Sequence, residues 1–179
     1  GTEDSRSNIM YQCIKVIEKK LPKVFILENV KNFKFIEKGK PFNFLIDELA
    51  SIVNEDGEQL YNIYCDIYNT KDYGIPQNRE RIYIVGFRTK KFANEFVFPE
   101  PAQSLGELSK YIDFEEKVGE EFYYNDRYMT KELVKSMKRT DTVYQWRRQY
   151  VRENKSGLCP TLTANMGTGG HNVPLVLTK

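Results

Sequence analysis

The sequence predicts part of an open α/β sheet, followed by a smaller and more irregular region. Apolar residues at helical spacing alternate with short apolar runs of strand length up to about residue 88. Prolines at positions 99 and 101 then follow an aromatic cluster, and an acidic stretch begins after them. Shorter apolar segments and a Gly-rich segment follow. We therefore predict a boundary near residues 89–102, with domains at 1–90 and 91–179.

The first predicted helix begins behind Asp4 or Ser5, because either side chain can cap a helix N-terminus, and it ends near Lys20. Its apolar stripe consists of Ile9, Met10, Cys13, Ile14 and Ile17. Residues 24–27 then form an unbroken apolar run, which is typical of a strand covered on both faces in a parallel sheet. This run ends in the polar sequence Glu-Asn-Val at residues 28–30.

A second helix is predicted after Pro41 and should stop near residues 54–57. Its apolar stripe consists of Phe42, Leu45, Ile46, Leu49, Ile52 and Val53. Residues 61–67 alternate as a strand, residues 74–76 turn the chain, and residues 82–87 form another apolar strand. The link between these two strands is too short for a helical crossover, so we expect them to be antiparallel.

The second region is predicted to contain a short helix at 130–139, a strand-like stretch at 144–152 and a Gly-rich irregular segment at 158–176. Between residues 107 and 126 there are seven acidic and two basic residues, and between 127 and 155 nine basic and three acidic ones. The basic segment also carries Tyr144, Trp146 and Tyr150, which suits a nucleic-acid surface. A solvated helix face with ordinary lysines and arginines fits the charge equally well.

The composition excludes several classes of protein. Charged residues make up 29% of the chain and the mean hydropathy is −0.59. No apolar run approaches the ~18–20 residues that span a bilayer. The three cysteines (Cys13, Cys65 and Cys159) are widely spaced and form no CxxC pair. The sequence therefore predicts neither a disulfide framework nor a metal site, and a reducing cytoplasm is the expected location.

Glu28 is a candidate for acid–base chemistry because it follows a buried strand, and ligands of open α/β sheets lie outside the carboxyl ends of strands. A carboxyl group in such a place can share a proton with a ring nitrogen. The alternative is a surface glutamate that bonds a loop amide.

Gln77, Arg79 and Arg81 form the pattern Gln-x-Arg-x-Arg, which runs directly into the apolar strand. Alternate residues of one extended strand share a face, so these three side chains are expected to line up. Two guanidinium groups would supply fixed, always-charged donors. The alternative is a surface salt bridge with Glu80 and its neighbours.

Residues 161–164 (Thr-Leu-Thr-Ala) and the glycines at 167, 169 and 170 form a hydroxyl-rich turn leading into a Gly-rich loop. Such a loop can approach a phosphate backbone closely, although most are plain turns. His171, the only histidine, has no partner at metal-ligand or triad spacing, and we interpret it as a loop residue.

Four stretches taken in order resemble the cytosine-5 DNA methyltransferases of bacterial restriction–modification type. They are GTEDSRSN, PKVFILENVKNF, YGIPQNRERIYIVGFR and CPTLTANMGTGGHNVPLV. The first resembles the family's Asp-x-Arg region (Asp4 and Arg6), and the next two its Glu-Asn-Val and Gln-x-Arg-x-Arg motifs. The fourth resembles the Thr-Leu pair of the target-recognition domain. The resemblance implies part of a class I S-adenosylmethionine-dependent methyltransferase (Rossmann-like) sheet in the first domain and an incomplete, mostly β target-recognition domain in the second.

The resemblance also implies roles at the reacting base. Glu28 matches the residue that protonates or hydrogen-bonds cytosine N3, and Asn29 and Val30 match neighbours that hold the Glu and the base. Arg81 matches the arginine that contacts cytosine O2 and braces the Glu. Arg79 matches its support near the DNA backbone or active-site loop.

Further matches concern the DNA and the cofactor. Gln77 and the pair Thr161-Leu162 match DNA-contacting positions, and Thr161 matches a contact to the phosphate beside the flipped nucleotide. Ile9 matches a position that packs near the adenosyl group. The recognition arginine is expected among Arg147, Arg148 and Arg152, and Arg152 is nearest to it in spacing.

The family's Gly-rich cofactor motif, its Pro-Cys dipeptide and its C-terminal motifs are not among these residues. We therefore expect an internal fragment, inactive alone, that lacks the catalytic cysteine and most of the S-adenosylmethionine site. None of Cys13, Cys65 and Cys159 follows a proline, so none is assigned as the nucleophile.

Duplex DNA is the expected partner of a cytoplasmic bacterial protein that is associated with the nucleoid through DNA and is monomeric when intact. A restriction endonuclease would be a functional and not a physical partner, and no membrane is involved. The alternatives are a non-catalytic, sequence-specific DNA-binding fragment or half of a split methyltransferase, an RNA-directed relative, and an unrelated α/β domain.

Overall fold

The computed structural model describes residues 5–101, 108–125, 129–147, 149–164, 166 and 172–178, without the side chains of residues 5–8 and 90–92. The chain forms two compact units, one of residues 1–68 and 80–100 and the other of residues 69–79 and 101–179. This division differs from the predicted boundaries in two places. Residues 69–79 fall in the second unit, and residues 91–100 fall in the first.

The predicted helices and strands are present in their predicted order, whereas the helix at 90–95 and the short strands at 77–78, 159–160 and 174–175 were not predicted. The helices and strands are α1 (Ser5–Lys20), β1 (Val24–Val30), α2 (Lys40–Ala50), β2 (Asn62–Asn69), β3 (Gln77–Asn78), β4 (Glu80–Phe87), α3 (Lys90–Glu95), α4 (Thr130–Ser136), β5 (Tyr144–Trp146), β6 (Val151–Glu153), β7 (Cys159–Pro160) and β8 (Pro174–Leu175). Three-residue and four-residue 3₁₀ turns connect several of them.

The first unit contains a three-stranded sheet in the order β1-β4-β2, in which β1 and β4 are antiparallel. The second face of β1 is open, since Val24, Ile26 and Val30 are 41%, 65% and 49% exposed. The prediction that β1 belongs to a parallel sheet and is covered on both faces is therefore wrong for the described residues. An unbroken apolar run cannot distinguish a covered strand from an edge strand with one open face.

The core of the first unit lies between this sheet and the helices α1 and α2. Its buried side chains are Ile14, Ile17, Phe25, Phe42, Leu45, Leu49, Ile52, Tyr61, Ile82 and Ile84. The ring of Phe25 lies over Gly86, the residue opposite it on β4, and a Cβ there would overlap the ring. The helix α2 ends at Ala50, earlier than predicted, because Val53 pairs with Gln59 in an isolated β-bridge.

The aromatic residues at the end of the first unit pack on its sheet. Phe96 lies 4.9 Å from the ring of Phe87, 5.5 Å from Tyr64 and 4.9 Å from Phe98. This packing explains why residues 91–100 belong to the first unit.

In the second unit, β3 pairs with β7 in parallel, and β6, β5 and β8 form a three-stranded sheet. Two strands, β5 and β6, replace the single strand-like stretch predicted at 144–152. Their core contains Met129, Leu133, Met137, Tyr144 and Trp146. The Tyr144 hydroxyl accepts the backbone N–H groups of Lys138 and Arg139 at 3.1 and 2.8 Å, which fixes the chain after α4.

Within the described ranges, no helix has the length and apolar character that crossing a membrane requires. In the same part of the chain, no three His, Cys, Asp or Glu side chains are grouped as metal ligands.

Candidate active site

Glu28 and Arg81 form an ion pair on the face of the first sheet that is open along β1. Val30 lies opposite Arg81 in the antiparallel β1–β4 register, so Glu28, two residues before Val30, projects from the same face as Arg81. The Glu28 Oε1 and Arg81 Nε atoms are 2.8 Å apart. The Arg81 side chain is 16% exposed and that of Glu28 is 44% exposed. A carboxyl group open to solvent is thus held by a largely buried guanidinium group.

The guanidinium group of Arg81 has a second fixed contact, since its Nη1 donates to the backbone carbonyl of Glu80 at 2.8 Å. The carboxylate of Glu80 pairs instead with Lys31 at 2.7 Å. The alternative prediction, a surface salt bridge between the arginine and Glu80, is therefore not the contact that Arg81 makes. Its two contacts leave the orientation of the planar group defined.

The two residues that follow Glu28 project from opposite faces of the sheet. Val30 shares its face, whereas Asn29 lies opposite Ile82, a buried core residue. The Asn29 Oδ1 accepts the backbone N–H of Val30 at 2.8 Å, which braces the end of β1. Asn29 therefore acts on the local backbone in this structure.

Gln77 and Arg79 belong to the second unit and Arg81 to the first. The expectation that all three lie on one continuous strand is wrong, because Arg79 falls between β3 and β4. Its backbone N–H bonds the side chain of Asn69 and its carbonyl accepts the N–H of Thr70. These bonds interrupt the extended ladder on which the alternation rule depends.

The second unit contains a polar cavity of about 320 Å³. It is lined by Asn78, Gln145, Arg147, Arg152, Asn154, Ser156, Pro160, Thr161, Thr163, Met166 and Asn172. Three of the predicted DNA-contacting residues, Arg147, Arg152 and Thr161, thus meet around one cavity. Arg147 and Arg152 are exposed, and Arg148 lies outside the described residues. Two exposed guanidinium groups beside hydroxyl and amide groups suit phosphates and base edges.

Thr161 is tied to the segment before β4, because its Oγ1 donates to the carbonyl of Asn78 at 2.5 Å. A hydroxyl group has one proton, so in this arrangement it can only accept further hydrogen bonds. Leu162 beside it is 49% exposed. The glycines at 167, 169 and 170 and His171, like Asp4, lie outside the described residues.

Ile9, predicted to pack near the adenosyl group, is 65% exposed and lines an apolar cavity of about 560 Å³ in the first unit. The rest of the lining consists of Gln12, Cys13, Val16, Ile17, Phe25 and Leu27. The aromatic ring of a bound ligand could pack against this apolar lining. Apart from Gln12 the lining has no hydrogen-bonding amide, hydroxyl or carboxylate side chain, so these described residues do not fit a complete site for a charged sulfonium donor.

Most residues that line the polar cavity were not predicted as site residues, and three of them illustrate the reason. Asn78, Gln145 and Asn154 line the polar cavity, but their positions in the sequence carry no signal that separates them from ordinary loop and strand residues. Asn69, which bonds Arg79, follows a strand pattern directly before a turn, where an asparagine that bonds nearby backbone is common.

Burial raises the pKa of the Cys159 thiol, which keeps it protonated near neutral pH. At the base of the β5–β6 hairpin, two hydrogen bonds of 2.8 Å from Arg139 lower the pKa of Asp141. Neither group has the character of a nucleophile or a general base.

The family model for C-5 cytosine-specific DNA methylase matches residues 1–176. The chain is 45% identical to the Type II methyltransferase M.Bsp6I of Bacillus sp. (strain RFL6), over 100% of this chain and 56% of that protein. It is 32% identical to M.HaeII of Haemophilus aegyptius and 31% identical to M.NgoBI of Neisseria gonorrhoeae, in both cases over 98% of this chain and 52% of the relative.

The chain thus spans about half the length of these curated relatives. Among solved structures, it is similar to the Entamoeba histolytica methyltransferase EhMeth with a TM-score of 0.45 and 21% identity. That match covers 65% of this chain and 35% of the other.

Proposed function

Because this chain belongs to the C-5 cytosine-specific DNA methylase family, we propose that the protein containing it methylates cytosine at C5 in a specific duplex DNA sequence. S-adenosylmethionine supplies the methyl group. The observation that carries the proposal is the 2.8 Å contact between Glu28 and Arg81 on an open sheet face. The Glu28 carboxyl group can serve the cytosine N3 atom, and the Arg81 guanidinium group can donate to the cytosine O2 atom.

Glu28 acts on the ring nitrogen N3. Cytosine C5 is too weak a nucleophile to accept a methyl group unaided, and attack of a thiolate on C6 makes it reactive. The electron pair displaced by that attack moves through the ring toward N3 and forms an N3–H bond with a proton that Glu28 delivers. Glu28, a carboxylate in its ion pair with Arg81, takes up this proton from solvent when the base binds. The half-exposed position of Glu28 leaves its carboxyl group accessible to a base.

Arg81 orients Glu28 and contacts the cytosine O2. Its Nη1 is held by the Glu80 carbonyl and its Nε by Glu28, so the guanidinium plane is fixed before substrate arrives. Positioned donors that need no rearrangement stabilise developing charge most effectively. The nucleophilic thiol is not assigned to Cys13, Cys65 or Cys159, since none of them follows a proline.

DNA is bound by the second unit and by residues beside the pair. A base inside a duplex is inaccessible to this chemistry, so the target cytosine leaves the stack. Arg152, with Arg147 and Arg148, reads guanine edges, a bidentate contact worth about 1–3 kcal/mol of discrimination. The DNA backbone and the flipped nucleotide are contacted by Asn29, Val30, Gln77, Arg79, Thr161 and Leu162.

The proposed setting is a bacterial cytoplasm, where the intact protein is monomeric, binds duplex DNA and protects it from a cognate restriction endonuclease. A second candidate is a non-catalytic DNA-binding fragment or one half of a split methyltransferase. The polar cavity lined by Arg147, Arg152 and Thr161 supports this candidate, because it suits DNA binding without methyl transfer.

A methylation assay distinguishes these candidates. The full-length gene product and the 179-residue chain alone are incubated with tritiated S-adenosylmethionine and duplex DNA, and the product base is identified by mass spectrometry. We expect 5-methylcytosine from the full-length protein and none from the chain alone. A parallel reaction contains tRNA instead of DNA. Tritium transfer to the tRNA and not to the DNA, or no methylated base from the full-length protein, would contradict the proposal.

A further inference from the structure

Asn69 lies at the end of β2 and is one of three buried polar residues in the described part of the chain, with 8% exposure. Its Oδ1 accepts the backbone N–H groups of Arg79 at 3.1 Å and Lys71 at 3.3 Å. Its Nδ2 donates to the Asn78 Oδ1 at 2.7 Å. One side chain therefore joins the start of the turn to the two residues that close it.

The same segment is held from its other side by the 159–161 strand. Gln77 pairs with Cys159 and Asn78 with Pro160 in the parallel β3–β7 ladder. The Thr161 hydroxyl donates to the Asn78 carbonyl at 2.5 Å. The segment from Gln77 to Arg79 is thus fixed between Asn69 and β7, and all of these contacts lie within the second unit.

An asparagine suits this place because its amide supplies an acceptor and a donor without a charge. Removal of the acceptor would leave the Arg79 N–H unpaired in a partly buried setting, and an unsatisfied buried donor is costly. The segment would then shift to regain a partner. A displacement of about 1 Å in supporting structure can lower catalysis by roughly 100-fold.

We propose that Asn69 is the positioning residue for the Gln77–Arg79 part of the Gln-x-Arg-x-Arg segment. This inference rests on the proposed methyl transfer, in which Gln77 and Arg79 serve the DNA. Asn69 touches neither the base nor the methyl donor, and acts through the backbone of Arg79 and the side chain of Asn78.

The experiment compares three variants of the full-length gene product. Asn69→Leu removes both polar functions and keeps a similar branched shape. Asn69→Asp keeps the acceptor for both N–H groups, and the exposed Asn78 amide can reverse to donate to it. Asn62→Leu is the matched control, because Asn62 lies partly buried at the other end of the same strand and donates to the Phe87 carbonyl at 3.5 Å.

We expect Asn69→Leu to lower kcat/KM for duplex DNA by 10- to 100-fold, Asn69→Asp to restore at least a third of the activity, and Asn62→Leu to change it less than threefold. Asn69→Leu is expected to melt at a lower temperature than Asn62→Leu, because it loses three side-chain hydrogen bonds instead of one, so activity is measured well below both melting temperatures. Equal activity of the two leucine variants, or an aspartate variant as inactive as the leucine one, would overturn the proposal.

A readout independent of activity separates this inference from the proposed function. If the wild-type protein methylates no cytosine, the proposed function fails, and amide hydrogen exchange still tests Asn69. Exchange at the Arg79 N–H is expected to accelerate at least tenfold in Asn69→Leu and to stay near the wild-type rate in Asn69→Asp. Unchanged exchange in Asn69→Leu would overturn the inference whatever the activity.

Discussion

Replacement of Arg81 by lysine separates the catalytic role of the Glu28–Arg81 pair from its contribution to stability. A lysine ammonium group is a single point and cannot reproduce both the Nε contact to Glu28 and the Nη1 contact to the Glu80 carbonyl. The Glu28 carboxyl group is 44% exposed, so solvent screens much of the attraction. Loss of such a pair costs about 1 kcal/mol of folding free energy or less.

The expected loss of activity is much larger. Removal of one preorganised donor at a developing charge costs about 10²–10³ in kcat, equivalent to about 3–4 kcal/mol. Glu28→Gln should show a loss of similar size, because the amide cannot transfer a proton to N3. The double variant should be little worse than either single one, since the two groups act as a unit.

The assay measures single-turnover methylation by the full-length gene product together with denaturant unfolding. Lys31→Gln is the control, because it breaks the neighbouring 2.7 Å ion pair with Glu80, whose two side chains are 44% and 40% exposed. It should lower stability by no more than the Arg81 variant does and leave the rate within about threefold. Two results would refute the reasoning. One is an Arg81→Lys variant that methylates at the wild-type rate. The other is a loss of rate that, written as an activation free energy, equals the loss in the free energy of unfolding.

Three further predictions concern the second unit. Arg152→Ala should lower discrimination at one guanine position of the recognised sequence, whereas equal loss on every sequence with a shallower salt dependence would make it a phosphate contact. Thr161→Val should weaken DNA methylation more than Thr161→Ser, which keeps the bond to Asn78, and equal effects would argue against that bond. Burial raises the pKa of Cys159, so iodoacetamide at pH 8 should label exposed Cys13 first, and mass spectrometry showing the reverse order would contradict this.

The pH dependence of the Cys159 thiol has a defined sign. An acid whose pKa is raised by folding favours the neutral form in the folded state. Its contribution to stability is therefore present at low and neutral pH and is lost as the pH rises past the ordinary thiol value of about 8.5.

The order of the longer helices and strands up to Phe87 could be predicted from the sequence because hydrophobic periodicity is local, whereas the short elements α3, β3, β7 and β8 were not predicted. The start of α1 behind Asp4 or Ser5 and the strand at 82–87 agree with the structure to within two residues. The pairing of β1 could not be predicted, because the run at 24–27 fits a covered parallel strand and an edge strand equally well. The partner of a strand is a property of the whole sheet.

The candidate site was predictable where a motif names the residue, as for Glu28 and Arg81. It was not predictable where a side chain acts through nonlocal backbone contacts. Asn69 lies ten residues before Arg79, and its role depends on how the turn between them folds back. The break at Arg79 was missed for the same reason, since a two-residue strand that pairs with a segment about 80 residues later has no local pattern.

The central claim is that Glu28 and Arg81 together hold an extruded cytosine. A crystal structure of the full-length gene product with duplex DNA containing its recognised sequence tests this most directly. We expect the target cytosine outside the helix, with N3 about 2.7–3.2 Å from the Glu28 carboxyl group and O2 at a similar distance from the Arg81 guanidinium group. A cytosine that stays stacked in the duplex, or one held by other side chains while this pair contacts no base, would contradict the account.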